Sequence, residues 1–523
     1  MTENNEPKKS SLEQCFLNNI FRDDEGYSEY IKSIHGNNFK VTDLKKGTIY
    51  IWSDLNKIWK SCDKSLLLQF IPKAIEPKCN IYIQELREEQ KLYKEKDDEY
   101  QKIENNIKEL YKILKHVRNK HGQSAIRDLL MPKLYDEKFV ELLNTSEANL
   151  DFFPISKNRV IDLRYGKIYP RLKGHYFTHT TNLDLDFDDT KRKNVEEFMR
   201  KIRMCENEND SEDMYKLCQL IAGSILSGRR SGKNIIVWHG CGDNAKGTFN
   251  MIMSKILGDF YCSASKYIFI DHPSASSGSH QNFLSQLRGK RYFNFAELKP
   301  TDRLNEGLLK SVCSPVDTIN FRTANSDIEQ TLRVYGLPSL ETNFFPHITL
   351  SDNALINRLR IVPCNSKFIS NPNPHNKLEF KALSSQELDN FIDSHLNAIF
   401  TWCLEGSLLY YNNNCTIDFP SICINYKDNI LNDQDHNSYI IDRMLIIHTP
   451  SDESKFVTHA QAYQKYKLEI KDDPPQSAKD ILSRKNFISH VNSFLKSKNS
   501  LFIGFDPKHH DRPNRWNSVS LPL

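Results

Sequence analysis

The stretch Ile235–Phe249, IIVWHGCGDNAKGTF, constrains the fold more than any other part of the chain. Ile235, Ile236, Val237 and Trp238 suit a buried strand. Gly240, Cys241, Gly242, Asp243 and Asn244 then turn the chain, and Met251–Leu257 reads as helix. Strand, glycine turn and helix are the parts of a loop that cradles phosphate. Glycines let backbone N–H groups close around a polyphosphate, and the helix N-terminus adds partial positive charge. Lys246 is spaced to reach the outer phosphates. The pattern G-x-x-x-x-G-K-[ST] is met at Gly240 and Lys246 and departed from twice. Ala245 stands where the second glycine belongs, which puts a Cβ close to phosphate and calls for an unfavourable φ. Gly247 stands where a magnesium-binding hydroxyl belongs. Thr248 is the nearest hydroxyl, but the next residue on a helix points about 100° away. A register beginning at Gly242 would put Thr248 at the lysine position and lose more.

A second element follows some fifty residues on. In Arg288–Leu298, RGKRYFNFAEL, the residues Tyr292, Phe293 and Phe295 make a buried-strand run that ends on Glu297. A phosphate loop followed by an apolar strand ending in an acid is a two-part nucleotide site, the acid holding Mg²⁺ through water and polarising an attacking water. Asp317–Arg322 and Leu332–Leu337 then read as the two strands of a hairpin around the polar turn Thr323–Asp327. Glu341–Asn343 ends another strand-like segment, with Asn343 exposed by the turn at Phe345–Pro346. Ala354–Pro363 places Arg358 and Arg360 just before an apolar strand.

Composition excludes several classes. Net charge is only +4, so any nucleic-acid contact has to come from a local patch or channel. The twelve cysteines contain no C-x-x-C pair, which argues against a zinc site or disulfide framework and for a reducing, intracellular setting. No run of 18 apolar residues exists, and the polar first twenty residues do not read as a signal peptide, so a soluble protein with no membrane partner is expected.

Four regions are expected. Residues 1–135 form an α-rich unit: Met1–Ser11 disordered, Ser28–Pro77 mixed, and Ile81–Lys120 one long charged helix. Its stripe is Ile103, Ile107, Leu110, Tyr111, Leu114 and Val117, with Gly122 ending it. Residues 136–232 carry the short strands Arg159–Leu163 and Lys167–Tyr169 and the helices Val195–Arg203 and Met214–Leu226. Residues 233–370 hold the loop and the acid, with Ser274–Ser279 expected as a mobile loop. Residues 380–523 read as helices, including Phe391–Tyr411, followed by a β-wing near Phe502 and Trp516. Lys485, Lys496, Lys498, Lys508, Arg512 and Arg515 tint this region basic. His509–His510 stand without nearby ligand partners, and no metal is assigned to them.

This order of parts resembles the superfamily 3 helicases, of the poxvirus- and phage-type primase–helicase NTPase family. That family's phosphate loop resembles G-x-G-x-N-G-K-S-T-F, matched by Gly240, Gly242, Asn244, Lys246, Thr248 and Phe249. Its acid motif resembles L-x-G-K-R, an apolar strand and Glu, matched by Leu287, Gly289, Lys290, Arg291 and Glu297. Asn305, Glu306 and Lys310 match the phrase after it, and Thr342 and Asn343 match its sensor strand. Arg358 before Pro363 matches its arginine-finger context. The region 152–228, with Gly223, Leu226 and Gly228, resembles the domain that precedes the helicase. The resemblance covers roughly 140–365.

The resemblance implies an α/β P-loop NTPase core, AAA+-like, with an α-rich N-terminal region and a winged-helix-like C-terminal domain. It implies a homo-oligomeric ring, expected to be hexameric, with ATP and Mg²⁺ between subunits and single-stranded or forked DNA in the centre. Lys246 would hold the β/γ-phosphates, with Gly240, Gly242, Asn244, Ala245, Gly247 and Thr248 around them. Thr248 and Glu297 would face Mg²⁺, and Glu297 would orient water. Asn343 would sense the γ-phosphate, and Arg358 would reach a neighbour's site. Arg322 and Lys310 are the candidate DNA contacts, on and near the hairpin. Many members carry an N-terminal primase; about 150 residues precede the matched region and show no paired-acid strand motif, so a primase is expected as a separate chain or absent. The expected activity is that of an ATP-driven replicative helicase of a virus or mobile element, acting in the host cytoplasm or at a viral replication site. The alternative is a hydrolysis-impaired relative that binds DNA or scaffolds a replisome, because Ala245 and Gly247 alter the loop.

Overall fold

The computed structural model describes residues 11–270, 284–296, 298–299, 302–322, 329–346, 348, 352–433, 436–448, 455–472, 481–498, 515–517 and 519–522. Met1–Ser10, Ser274–Ser279, Glu297, Thr323–Asp327, Phe502, Lys508, His509, His510 and Arg512 lie outside the described residues.

Helices α1 (Ser11–Asn19) and α2 (Asp23–His35) precede an antiparallel sheet of β1 (Phe39–Asp43), β2 (Thr48–Ser53) and β3 (Ile58–Asp63). Three helices follow, α3 (Ser65–Gln90), α4 (Asp98–Arg118) and α5 (Lys120–Lys133). The single helix expected over Ile81–Lys120 is therefore two, broken at Lys91–Asp97. Leu92 and Tyr93 are exposed there, so the apolar stripe is interrupted, and the chain folds α4 back onto α3. Ile71, Ile75, Cys79 and Ile83 of α3 and Ile103, Ile107, Leu110 and Leu114 of α4 share one buried cluster. Tyr111 is not part of it: it is exposed and its hydroxyl accepts from Arg87 Nη2 at 2.6 Å, while Ile113 is buried in its stead. Nor does Gly122 end a helix. It sits in the first turn of α5, where a Cβ would come within 2.3 Å of the His116 carbonyl oxygen, and its N–H is capped by Asn119 Oδ1.

The short α6 (Phe139–Leu142) leads to the antiparallel strands β4 (Phe152–Ile155), β5 (Arg159–Asp162) and β6 (Lys167–Pro170). Helices α7 (Asp189–Lys201) and α8 (Glu208–Leu226) start at side-chain caps, Asp188 accepting from Lys191 N and Asn207 from Asn209 N. Strand β7 (Ile235–His239) then enters the central sheet. The chain continues through α9 (Lys246–Leu257), β8 (Tyr261–Ser263), β9 (Tyr292–Phe295), α10 (Glu306–Cys313), β10 (Thr318–Arg322), β11 (Glu329–Arg333) and β12 (Leu337–Thr342). After α11 (Asn353–Ile356), β13 (Leu359–Pro363) completes it. The sheet is wholly parallel, in the order β13-β7-β12-β9-β8. Continuous apolar runs such as Ile235–Trp238 follow from burial on both faces. The expected hairpin is β10 paired antiparallel with β11, but its second strand is Glu329–Arg333, and Leu337 opens β12 instead.

Two short strands, β14 (Lys367–Ile369) and β15 (Glu379–Lys381), precede α12 (Ser385–Asn412), which opens with a Ser384–Glu387 capping box. The sequence groups this helix with residues 380–523. In the fold it lies along α8, and Ile399, Phe400, Trp402 and Cys403 join the cluster that holds Ile221, Ile225 and Trp238. The remaining elements are α13 (Ser421–Asp433), α14 (His436–Met444), β16 (Ile446–Ile447), β17 (Phe456–Thr458), α15 (His459–Asp472), α16 (Arg484–Lys498), β18 (Arg515–Asn517) and β19 (Val519–Ser520). From α14 onward they enclose a separate small core around Ile440, Tyr466, Phe487 and Trp516, bordered by the antiparallel pairs β16–β19 and β17–β18.

Candidate phosphate-binding site

The loop leaves the carboxyl end of β7 and delivers Lys246 at the first position of α9. Gly240 is needed there, since a Cβ would lie 2.4 Å from Asn244 Nδ2 and 2.6 Å from the Cys364 carbonyl oxygen. Asn244 ties the loop to the end of β13 by donating Nδ2 to that carbonyl at 3.1 Å. Gly242 meets nothing within 4 Å, so space does not demand a glycine at that position. Asp243 and Ala245 both take left-handed backbone, with φ of 60° and 57°. The unfavourable φ expected at Ala245 is thus present, at a position a glycine would occupy without strain.

Lys246 is buried, and its ammonium donates to the carbonyls of Gly240 (2.7 Å) and Cys241 (3.0 Å) and to Asn244 Oδ1 (2.8 Å). Burial holds its pKa below the ordinary lysine range. The cation is therefore held inside the loop by neutral acceptors, at the N-terminus of a twelve-residue helix. This donor set suits a polyphosphate: an ammonium, backbone N–H groups and a helix end of the same sign. Thr248 is half-buried on α9, and Gly247 is exposed.

Strand β12 lies between β7 and β9, and its register sets Thr342 beside His239. Asn343 consequently leaves the sheet at the level of Gly240 and is exposed. Arg358 stands at the other edge. It precedes β13, whose Leu359 pairs with Ile235 and whose Pro363 pairs with His239, so about 13 Å of strand separates it from the loop of its own chain. Its Nη1 donates to the Ala354 carbonyl at 2.5 Å. Lys310 is engaged by Asp352 at 2.6 Å, and Arg322 lies on the exposed end of β10. Arg291, part of the acid motif, is fully buried and donates to the carbonyls of Leu226, Asn149 (2.9 Å) and Phe152 (2.7 Å). It stitches the region before the loop to the central sheet.

Three polar residues beneath the loop carry no expectation from the sequence. Glu341 of β12 accepts at Oε1 from Asn250 Nδ2 of α9 and, at 2.7 Å, from Asn294 Nδ2 of β9. Tyr292 Oη donates to Asn250 Oδ1 and lies 3.4 Å from Trp238 Nε1. Burial pushes the Glu341 carboxyl above its usual range, opposed by the two amides and by Lys246. Alternation was the available signal: Tyr292/Asn294 and Ser339/Glu341 are polar residues at period two in otherwise apolar strands.

The sheet and loop define a parallel α/β core of P-loop-like form. No family model matches the chain. It is similar to three viral proteins. One is "Putative helicase L207/L206" of Acanthamoeba polyphaga mimivirus, 25% identical over 282 residues, or 53% of this chain and 28% of that protein. "Putative helicase 184R" of Invertebrate iridescent virus 6 is 20% identical over 272 residues, 51% of this chain and 27% of that protein. "Putative primase C962R" of African swine fever virus is 25% identical over 147 residues, 28% of this chain and 15% of that protein. The chain thus matches about a quarter of the length of the two helicase-named relatives. Among solved structures, the apo C-terminal region (305–718) of NrS-1 is similar with a TM-score of 0.37 and 10% identity, over 70% of this chain and 83% of that one. Among the described residues no helix is long and apolar enough to cross a membrane, and no group of three or more His, Cys, Asp or Glu could hold a metal ion.

Proposed function

We propose that this chain is an ATP-dependent DNA helicase motor of a virus, built on a superfamily 3, AAA+-like core. The observation that carries the reading is the buried Lys246, held by its own loop at the carboxyl end of β7, with β12 inserted between β7 and β9. The viral relatives named as helicases support it.

Lys246 exchanges its loop carbonyls for the β- and γ-phosphate oxygens of ATP, and the N–H groups at the start of α9 face the same oxygens. Bound Mg²⁺ supplies charge neutralisation at those phosphates. Thr248 and Glu297 would hold the cation, and Glu297 would orient the attacking water. Asn343, leaving the sheet beside the loop, contacts the γ-phosphate. Arg358 serves the site of a neighbouring subunit, which accords with its distance from its own loop. This calls for a closed ring of subunits, proposed as a hexamer around single-stranded DNA. The hairpin β10–β11 with Arg322 tracks the strand, and the C-terminal unit acts as a winged-helix-like DNA contact. A primase on a separate chain is the proposed partner, at a viral replication site.

Unwinding of forked DNA tests this reading. Lys246→Ala and Glu297→Gln are expected to abolish it, and unwinding at the parent rate by both variants would refute it. One observation favours a second reading, a DNA-binding scaffold that does not hydrolyse ATP: Gly247 lacks the hydroxyl of the phosphate-loop pattern. DNA binding with no turnover at any Mg²⁺ concentration would decide for the scaffold.

A further inference from the structure

The volume beside Gly247 is already provided with an oxygen. A Cβ built on Gly247 would lie 3.6 Å from Glu341 Oε2. The hydroxyl that the phosphate-loop pattern calls for at this position would therefore sit against a carboxylate. The Glu341 side chain is fixed from its other oxygen: Oε1 takes the amides of Asn250 and Asn294, leaving Oε2 turned toward Gly247. Those two amides come from α9 and β9, so the carboxylate is positioned by the helix that follows the loop and by the strand that leads to the acid motif. Glu341 itself sits two residues before Asn343, on the strand beside β7.

We infer that Glu341, through Oε2, is a further protein oxygen, beside Thr248 and Glu297, for the divalent cation of a bound nucleoside triphosphate, taking the place of the hydroxyl that Gly247 cannot supply. This rests on the reading of the loop as a triphosphate site. A carboxylate oxygen is a hard ligand suited to Mg²⁺ or Mn²⁺. It also differs from a hydroxyl in one testable way. Without a cation, a carboxylate beside the triphosphate repels it, so nucleotide binding becomes steeply dependent on the cation.

The test compares the affinity of a fluorescent ATP analogue in Mg²⁺ and in EDTA, and the EPR spectrum of Mn²⁺ added with ATP. In the parent, Mg²⁺ strengthens binding. Glu341→Gln keeps a carbonyl for the two amides and is expected to lose about 10–100-fold of that strengthening. Its affinity in EDTA should be unchanged or tighter, and its Mn²⁺ spectrum altered. Adding Gly247→Ser to Glu341→Gln should restore part of the cation dependence. A Glu341→Gln protein with the parent's ratio of Mg²⁺ to EDTA affinities overturns the inference. Gly247→Ser alone sets a hydroxyl against Oε2 and serves if Glu341→Gln does not fold. It should change Mn²⁺ affinity, and an unchanged affinity and spectrum also overturn the inference. Failure of the underlying reading looks different: the parent and Lys246→Ala would then bind the analogue equally, with or without cation.

Discussion

Helices α8 and α12 cross at a contact that only glycine permits, and Gly223→Ala tests it. A Cβ at Gly223 would lie 2.0 Å from the carbonyl carbon of Gly406 and 2.1 Å from Ser407 N. Both are backbone atoms, so no rotamer change relieves the clash. Ordinary contact begins near 3.4 Å, and the helices must separate by about 1.4 Å at the crossing. A gap of about 0.5–1 Å already forfeits a quarter to a half of the dispersion attraction between facing atoms. The face that would open includes Ile221, Ile225, Phe400 and Cys403, all fully buried. Overpacking costs about 1–3 kcal/mol and sometimes more, and a clash with backbone on a fully buried face belongs at the upper end, about 3 kcal/mol. Urea denaturation followed by tryptophan fluorescence reads it, because Trp402 is buried on this face and donates Nε1 to Tyr215 Oη at 2.9 Å. The reciprocal Gly406→Ala puts a Cβ 2.0 Å from the Gln219 carbonyl oxygen and should cost a similar amount. Once the helices have parted, the second methyl finds room, so the double variant should cost less than the sum. A Gly223→Ala protein within about 0.5 kcal/mol of the parent would refute the close crossing.

Three further outcomes follow from the packing. Arg291→Ala leaves the Leu226, Asn149 and Phe152 carbonyls without their donor and should destabilise by about 3 kcal/mol or more in thermal or urea melts; Arg291→Lys should not rescue it, because an ammonium lacks the planar fork. Ala245→Gly removes left-handed strain of about 1 kcal/mol and should raise the melting temperature, whereas a lower one would show that φ at 245 is not positive in solution. His459 is buried with its ring 4.2 Å from that of Trp516, and burial, reinforced by Arg484, lowers its pKa from 6.5. The unfolded chain then binds the proton first, so the C-terminal unit should be fully stable above about pH 6.5 and lose stability below it, read by Trp516 fluorescence and flattened in His459→Phe.

The legible parts of this chain were those in which one residue type has one reason to be where it is. Lys246 and Gly240 stand in a loop whose spacing announces phosphate, and the structure closes the loop on them. The strand end just before Asn343 was legible because a strand must end before a turn at Pro346. The N-terminal helix pair was not, because heptad-like spacing from Ile103 to Val117 says that a face is buried and not what buries it; the break at Leu92–Tyr93 is an interruption of phase that propensity alone does not mark. The packing of α12 on α8 was not legible for a related reason. Gly406 reads as an ordinary helix glycine until Gly223, 183 positions earlier, is brought against it. Arg291 is legible only as a match to the phrase before the acid strand, and its work as a buried stitch appears once the fold brings the Leu226, Asn149 and Phe152 carbonyls around it. Glu341 was passed over because a single acid near a strand end is common. Its meaning comes from Gly247, Asn250 and Asn294, which only the fold assembles.

The central claim is that Lys246 heads a working nucleoside-triphosphate site. Steady-state ATP hydrolysis against Mg²⁺ concentration, with and without single-stranded DNA, tests it most directly. The account predicts turnover that requires Mg²⁺, rises with DNA and is lost in Lys246→Ala. Turnover equal in the parent and Lys246→Ala, or none in the parent while DNA binding is intact, would contradict it.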